Sequence, residues 1–202
     1  LIPDSAHGTN PATSAMVGFE IVPLATDARG NVDLEVLKSL VDDCLAGLML
    51  TNPNTLGLFD ENVEEVIKIV HEAGGLVYGD GANMNAILGV TQPGKIGFDL
   101  LHYNLHKTFS TPHGGGGPGS GPVVVAKHLL DFLPDPVVDI IEEGDDENPP
   151  LYGLVTPAKT IGRIKAFHGH FGIHVRAFTY ISMLGAKGLR DAAEKAVLNA
   201  NY

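Results

Sequence analysis

A single cysteine, Cys44, among 202 residues rules out a disulfide within the chain and fits a reducing compartment. Its expected place is in the core, on a helix. Positive charge is scarce. Thirteen Lys and Arg stand against 24 Asp and Glu, a net charge of −11 with a pI near 5.1, which excludes a surface built for nucleic acid. No apolar run approaches the roughly twenty residues that span a bilayer, and the first residues carry no charged leader or cleavage pattern. The opening Leu1-Ile2-Pro3-Asp4, without Met, is expected to be the tail of a strand already under way in a longer, soluble globular chain. Several catalytic motifs are also missing. The order His106-Lys107-Thr108 with glycines after it, not before, excludes a phosphate-binding P-loop. Nine histidines come without a Cys pair or a His-Glu-x-x-His spacing, so no metal site is expected, although His102 with His106, and His168 with His170, are each expected to share a strand face. Ser110, His113 and Asp80 lack the nucleophile elbow of a hydrolase.

Glycine, by contrast, is abundant, and six glycines fall between Gly114 and Gly121. Glycine loses more backbone entropy on ordering than any other residue, so such a tract weakens a fold unless the backbone must approach something closely. The tract reads equally as a flexible surface loop or as a ligand loop. Just before it, Lys107 ends an apolar run. A lysine there is ordinarily a solvated charge, but one partly desolvated beside other positive groups becomes a nucleophile toward an aldehyde.

Apolar runs of strand length alternate with helical patterns, the signature of an α/β fold with a mostly parallel sheet. The pattern predicts a helix over 11–17 capped by Asn10, a strand over 20–25, and a helix from Asp33 whose stripe runs Leu34, Leu37, Leu40, Val41 and Cys44. It further predicts strands at 48–51, 76–79, 100–105 and 123–126. A helix at Val63, Val66, Ile67 and Val70 has Asn62 and Glu65 as a capping box and ends at Gly74-Gly75. Residues 142–150, with five acidic side chains and Pro149-Pro150, read as an exposed mobile loop; 173–189 and 190–201 read as helices interrupted over 185–188. In open α/β sheets ligands bind beyond the carboxyl ends of the strands, where Asp80, Lys107 and the turn from Thr51 to Thr55 all fall. A carboxylate at such a place can keep a pyridine nitrogen protonated as an electron sink, though an Asp before Gly is more often a turn residue.

Three longer motifs go beyond this: Ser5-Ala6-His7-Gly8-Thr9-Asn10-Pro11-Ala12; Asp80-Gly81-Ala82-Asn83-Met84-Asn85-Ala86; and Asn104-Leu105-His106-Lys107-Thr108-Phe109 followed by Pro112-His113 and the glycines. Together they resemble the P-protein family of the glycine-cleavage system, glycine dehydrogenases (decarboxylating) of the fold type I pyridoxal-phosphate group. Thr51-Asn52-Pro53-Asn54-Thr55-Leu56-Gly57-Leu58-Phe59 resembles the second subunit of the two-gene bacterial form.

The resemblance implies a three-layer, transferase-like large domain with helices on both faces of the sheet. Residues 1–150 would belong to this cofactor-binding domain, and 151–202 would be a helical segment leading toward a C-terminal small domain. It implies pyridoxal 5'-phosphate as cofactor, held covalently by Lys107, with Asp80 at its ring nitrogen. Ala82 and His7 would lie on opposite ring faces, and His106, Asn83 and Thr108 would orient the cofactor or its phosphate. The implied reaction is decarboxylation of glycine with transfer of the aminomethyl group to the lipoyl arm of the H-protein. Subunit 1 is the implied partner in an oligomer, located in the bacterial cytoplasm or, in a eukaryote, the mitochondrial matrix. A glycine-lined channel would admit the lipoyl arm, with Gly116 as the position to obstruct. The upstream segment of the family, with its own phosphate-contacting loop, is not matched within these residues.

Overall fold

Short runs of β-branched and aliphatic residues, spaced by amphipathic helices, align here as parallel strands. A computed structural model describes residues 1–82, 84–115, 117, 119–164, 166 and 168–202. β1 (Ile2–Pro3) pairs in parallel with β2 (Pro23–Leu24), and β3 (Gly47–Thr51), β4 (Leu76–Gly81), β5 (Leu100–Tyr103) and β6 (Val123–Val125) form a four-stranded sheet in that order. The β3–β4 and β4–β5 pairs are parallel and place Thr51 opposite Asp80, and Asp80 opposite His102. Side chains alternate across a strand, so this register puts Met49, Thr51, Tyr78, Asp80, Leu100 and His102 on one face and Leu48, Leu50 and Val77 on the other.

The second of these faces carries the main core. In α3 (Val63–Glu72), Val63, Val66, Ile67, Ile69 and Val70 are buried and pack with Leu48, Leu50, Val77 and Phe98. Leu37 joins them from α2 (Leu34–Leu40). Each such side chain contributes on the order of 1.5–3 kcal/mol by leaving water. The Asp33 cap forms as expected, with its carboxylate accepting from the amides of Glu35 (2.9 Å) and Val36 (3.1 Å). On the first face α1 (Thr9–Met16) reaches the sheet through Ser14 Oγ and Met49 Sδ, 2.9 Å apart. Helices therefore lie on both faces of a mostly parallel sheet.

Local expectations fail where a tertiary partner outbids the local one. Gly8, not Asn10, caps α1; Asn10 is buried inside it and directs its amide to Thr51 Oγ1 at 3.4 Å. Asn62 makes no side-chain cap, because its backbone is not extended and its own amide donates to Asp60 Oδ1 at 2.8 Å. The strand expected over 20–25 is reduced to Pro23–Leu24. Cys44 is neither helical nor in the core: α2 stops at Leu40, Val41 turns extended, and Cys44 is exposed with its amide on Asp42 Oδ1. His102 and His106 share no strand face, since β5 ends at Tyr103 and His106 lies in α5 (Leu105–Thr108). His168 and His170 likewise lie outside any strand.

Between β4 and α5 come a 3-10 turn at Met84–Ala86 and α4 (Pro93–Ile96). α6 (Phe171–Asn201) is broken at Gly185, whose φ of 61° and ψ of −177° leave the helix; the interruption expected across 185–188 is thus confined to one residue. Its Ile173 and Ala177 pack on Leu105 and Phe109.

Leu1–Val124 and His170–Tyr202 form one compact unit, and Val125–Gly169 a second. The second unit consists of a 3-10 segment, Lys127–Phe132, and an antiparallel hairpin of β7 (Val137–Glu142) and β8 (Leu151–Val155) with a register shift between Ile140 and Glu142. The acidic stretch joins the two strands and is exposed.

Candidate active site

Asp80 lies at the carboxyl end of β4, only 2% exposed. The carboxylate is brought close to β5 by the two glycines beside it. A Cβ on Gly79 would lie 2.3 Å from Leu101 Cδ1, and one on Gly81 2.1 Å from the carbonyl oxygen of His102. Three hydrogen-bond donors and one close imidazole contact surround the carboxylate. Oδ1 accepts from the amide of Ala82 at 3.0 Å and faces His102 Nε2 at 3.3 Å. Oδ2 lies 3.1 Å from His7 Nε2 and accepts from Thr51 Oγ1 at 3.3 Å. A carboxylate offers about four lone-pair sites; this shell uses three of them and leaves one turned toward His102. A buried charge is tolerated when it is hydrogen-bonded in this way.

The imidazole tautomers follow from the network. His7 Nδ1 accepts from the amide of Thr9 at 3.1 Å, which leaves the proton on Nε2 to be donated to Asp80. His102 Nδ1 lies 2.5 Å from the Tyr78 hydroxyl, and the rings stack with centroids 5.6 Å apart. Burial lowers the His102 pKa from its ordinary 6.5; the nearby Asp80 charge opposes this, while Lys107 and His7 add to it. Burial, then the Asp80 charge, pushes the Tyr78 phenol up to about 12. With the Tyr78 hydroxyl donating to Nδ1, the ring proton falls on Nε2, 3.3 Å from Asp80 Oδ1.

Lys107 is exposed on α5, one strand over from Asp80, and close enough for its charge to act on both His102 and His106. The His106 ring meets His113 edge to face at 4.1 Å, and its pKa is lowered by burial, then by His113 and Lys107. Among the described residues, His106 Nδ1, Thr108 Oγ1 and Thr111 Oγ1 are buried with no hydrogen-bond partner. Of the described glycines, Gly119 passes His106 and His113. Gly114 and Gly115 take positive φ, a Cβ on Gly119 would sit 3.4 Å from His113 Nε2 and 3.6 Å from His106 Nδ1, and Ser120 accepts from the amide of Leu105 on the way back to β6. Ser110, immediately before, holds a φ of 58°, a left-handed conformation uncommon outside glycine, and its carbonyl accepts from Arg176 Nε at 3.0 Å.

The structure therefore gathers His7, Asp80 and Ala82 in direct contact, and sets Lys107, His106 and Thr108 together on α5. Asn83 and Gly116 lie outside the described residues. Sequence reasoning placed Thr51 at the strand ends with Asp80, but missed Tyr78 and the role of His102, which depend on parallel register across neighbouring strands. Among the described residues no group of three or more His, Cys, Asp or Glu can hold a metal ion, and no helix is long and apolar enough to cross a membrane. An apolar cavity of about 590 Å³ lies elsewhere on the same sheet face, toward the amino ends of the strands, among Val17, Phe19, Leu45, Met49, Tyr78 and Leu100.

The mostly parallel α/β sheet is a fold that solved structures share. Over 96% of the chain it superposes on 43% of a sphingosine-1-phosphate lyase from Burkholderia pseudomallei with a TM-score of 0.67. Over its full length it superposes on 42% of mouse CSAD in apo form, also at 0.67. Both are 17% identical in sequence and speak to the fold alone. Residues 5–134 match the family Aminotransferase class-V, and the chain belongs to that family. It is 58% identical to "Probable glycine dehydrogenase (decarboxylating) subunit 2" of Alkaliphilus oremlandii, a match that takes in 100% of the chain and 40% of that protein. It is 56% identical to the protein of the same name from Pyrococcus abyssi, over 100% of the chain and 39% of that protein. The chain thus spans about two fifths of the length of the curated relatives it matches.

Proposed function

We propose that this chain is the cofactor-binding part of the second subunit of a glycine dehydrogenase (decarboxylating), and that it holds pyridoxal 5'-phosphate between Asp80 and Lys107. The observation that carries this reading is the buried Asp80 carboxylate, held by three hydrogen-bond donors with His102 Nε2 at 3.3 Å, and Lys107 on the adjoining α5. The identity to proteins of that name, 55–58%, supports the choice of substrate.

The residues present fit the cofactor. A buried carboxylate at the strand end suits a protonated ring nitrogen, and Lys107, exposed where partial desolvation was expected, supplies the primary amine an aldehyde needs. Unpartnered buried hydroxyls on Thr108 and Thr111, and the bare His106 Nδ1 beside Gly119, suit a phosphate. Bound there, the cofactor supplies an electron sink for the carbanion left when a carboxylate departs from an amino acid. Asp80 would keep the proton on the ring nitrogen. His7 and Thr51 both contact Oδ2, so His7, with its side chain 41% exposed, would be the donor that yields to the ring nitrogen and would lie against the ring. Ala82, small and buried, would back the opposite face. Lys107 would anchor the cofactor covalently; in the unloaded site its charge disfavours protonation of His102 and His106.

A boundary at 150 would cut the β7–β8 hairpin, so Leu1–Val124 with His170–Tyr202 is the proposed part of the large domain, with Val125–Gly169 a unit of its own. Subunit 1 is the partner, the lipoyl arm of the H-protein takes the aminomethyl group, and the enzyme works in the cytoplasm, or in the mitochondrial matrix if the source is eukaryotic. The test is release of labelled carbon dioxide from carboxyl-labelled glycine by the full-length chain with subunit 1. Release that requires lipoylated H-protein is expected. Cofactor-dependent activity on larger amino acids without H-protein would replace this reading with that of another fold type I decarboxylase or aminotransferase.

A further inference from the structure

Asp80 has two imidazole neighbours, and their surroundings differ. The His7 side chain is 41% exposed and lies on Oδ2. His102 sits behind Oδ1 with its side chain 22% exposed, fixed by β5 register opposite Asp80 and by a second contact, Nδ1 to the Tyr78 hydroxyl. Tyr78 is two residues before Asp80 on the same strand face, so a single run of β4 carries both ends of the chain Tyr78–His102–Asp80.

We propose that His102 and Tyr78 are positioning residues for the cofactor: Tyr78 fixes the His102 tautomer, and His102 Nε2–H holds Oδ1 so that Oδ2 faces the pyridine nitrogen as an anion. This rests on the reading of the site as a pyridoxal-phosphate site. The chemistry is proton placement with no change in bonding. The phenol hydrogen rests on Nδ1, so the imidazole keeps its single N–H on Nε2, where it meets a carboxylate and not a second donor. Without the phenol the other tautomer becomes available, and that form points a lone pair at Asp80. Without the imidazole N–H, Oδ1 loses a charge-assisted partner, the anion is less favoured, and the shared proton moves from the ring nitrogen toward the carboxylate. The titratable or charged groups that face this arrangement are His7 from the segment before α1, Tyr78 on β4, and Lys107 from α5.

The test uses the full-length chain with its partner subunit, loaded with pyridoxal 5'-phosphate labelled with nitrogen-15 in the ring. The wild type is expected to show a protonated ring nitrogen. His102→Leu is expected to show a substantial unprotonated signal and cofactor binding weaker by about tenfold. His102→Gln, which restores an N–H near the Nε2 position, is expected to recover both. Nitrogen-15 histidine spectra of apo Tyr78→Phe are expected to lose the pure Nε2–H tautomer of His102. An unchanged ring-nitrogen signal in His102→Leu, or a Gln variant no better than Leu, overturns the proposal. A wild-type protein that takes up no cofactor overturns the underlying reading of the site instead.

Discussion

Gly81 stands so close to β5 that a Cβ built on it would lie 2.1 Å from the carbonyl oxygen of His102. Backbone cannot retreat as a side-chain tip can, so Gly81→Ala must push β4 and β5 apart at the point where Asp80 meets His102. The expected cost is about 1–3 kcal/mol of stability, read by urea unfolding of the full-length protein, together with weaker cofactor uptake. A variant as stable as the wild type would show that the strands are not held at this spacing.

A second buried carboxylate tests the framework apart from the site. Asp99 Oδ2 accepts from the amide of Val77 at 2.7 Å and lies 2.8 Å from His71 Nε2, tying the start of β5 to β4 and α3. Asp99→Ala is expected to cost about 1–3 kcal/mol by stranding a buried amide. Arg29→Ala, which removes an exposed bridge to Glu61, is expected to cost less than about 1 kcal/mol. Equal costs in the same unfolding assay would contradict this ranking.

The Tyr78–His102 pair narrows the pH range of stability from both sides. The Tyr78 phenol is raised from 10.0 to about 12, so below pH 10 its contribution is complete. Between 10 and about 12 the unfolded chain gives up the proton first, and stability falls as pH rises. The imidazole of His102 is lowered from 6.5. Below 6.5 the unfolded chain therefore binds a proton that the folded one refuses, and stability falls on acidification. Unfolding midpoints across pH should show a shallower alkaline decline in Tyr78→Phe than in the wild type. Identical alkaline limbs would remove Tyr78 from the account.

How much of this was legible in the sequence depends on how local each interaction is. The Asp33 cap and the stripe of α3 are decided within one or two turns, and both formed as the spacing predicted. Asn10 and Asn62 have the composition of caps, yet distant groups, Thr51 and Asp60, claim the first residue's side chain and the second's amide. The β7–β8 hairpin went unread because both strands are largely exposed, so no alternation of buried and polar residues marks them. Asp80 and Lys107 were found from their place after apolar runs. His102 and Tyr78 were not, since their meaning lies in a parallel register that brings residues 78, 80 and 102 onto one face.

The central claim is that Lys107 and Asp80 hold pyridoxal 5'-phosphate, and borohydride reduction tests it most directly. The full-length chain with its partner subunit, incubated with cofactor, reduced and digested, is expected to yield one modified peptide, with the pyridoxyl group on Lys107, and none from Lys107→Ala. A cofactor fixed to another lysine, or none fixed at all in a folded wild-type complex, would contradict the account.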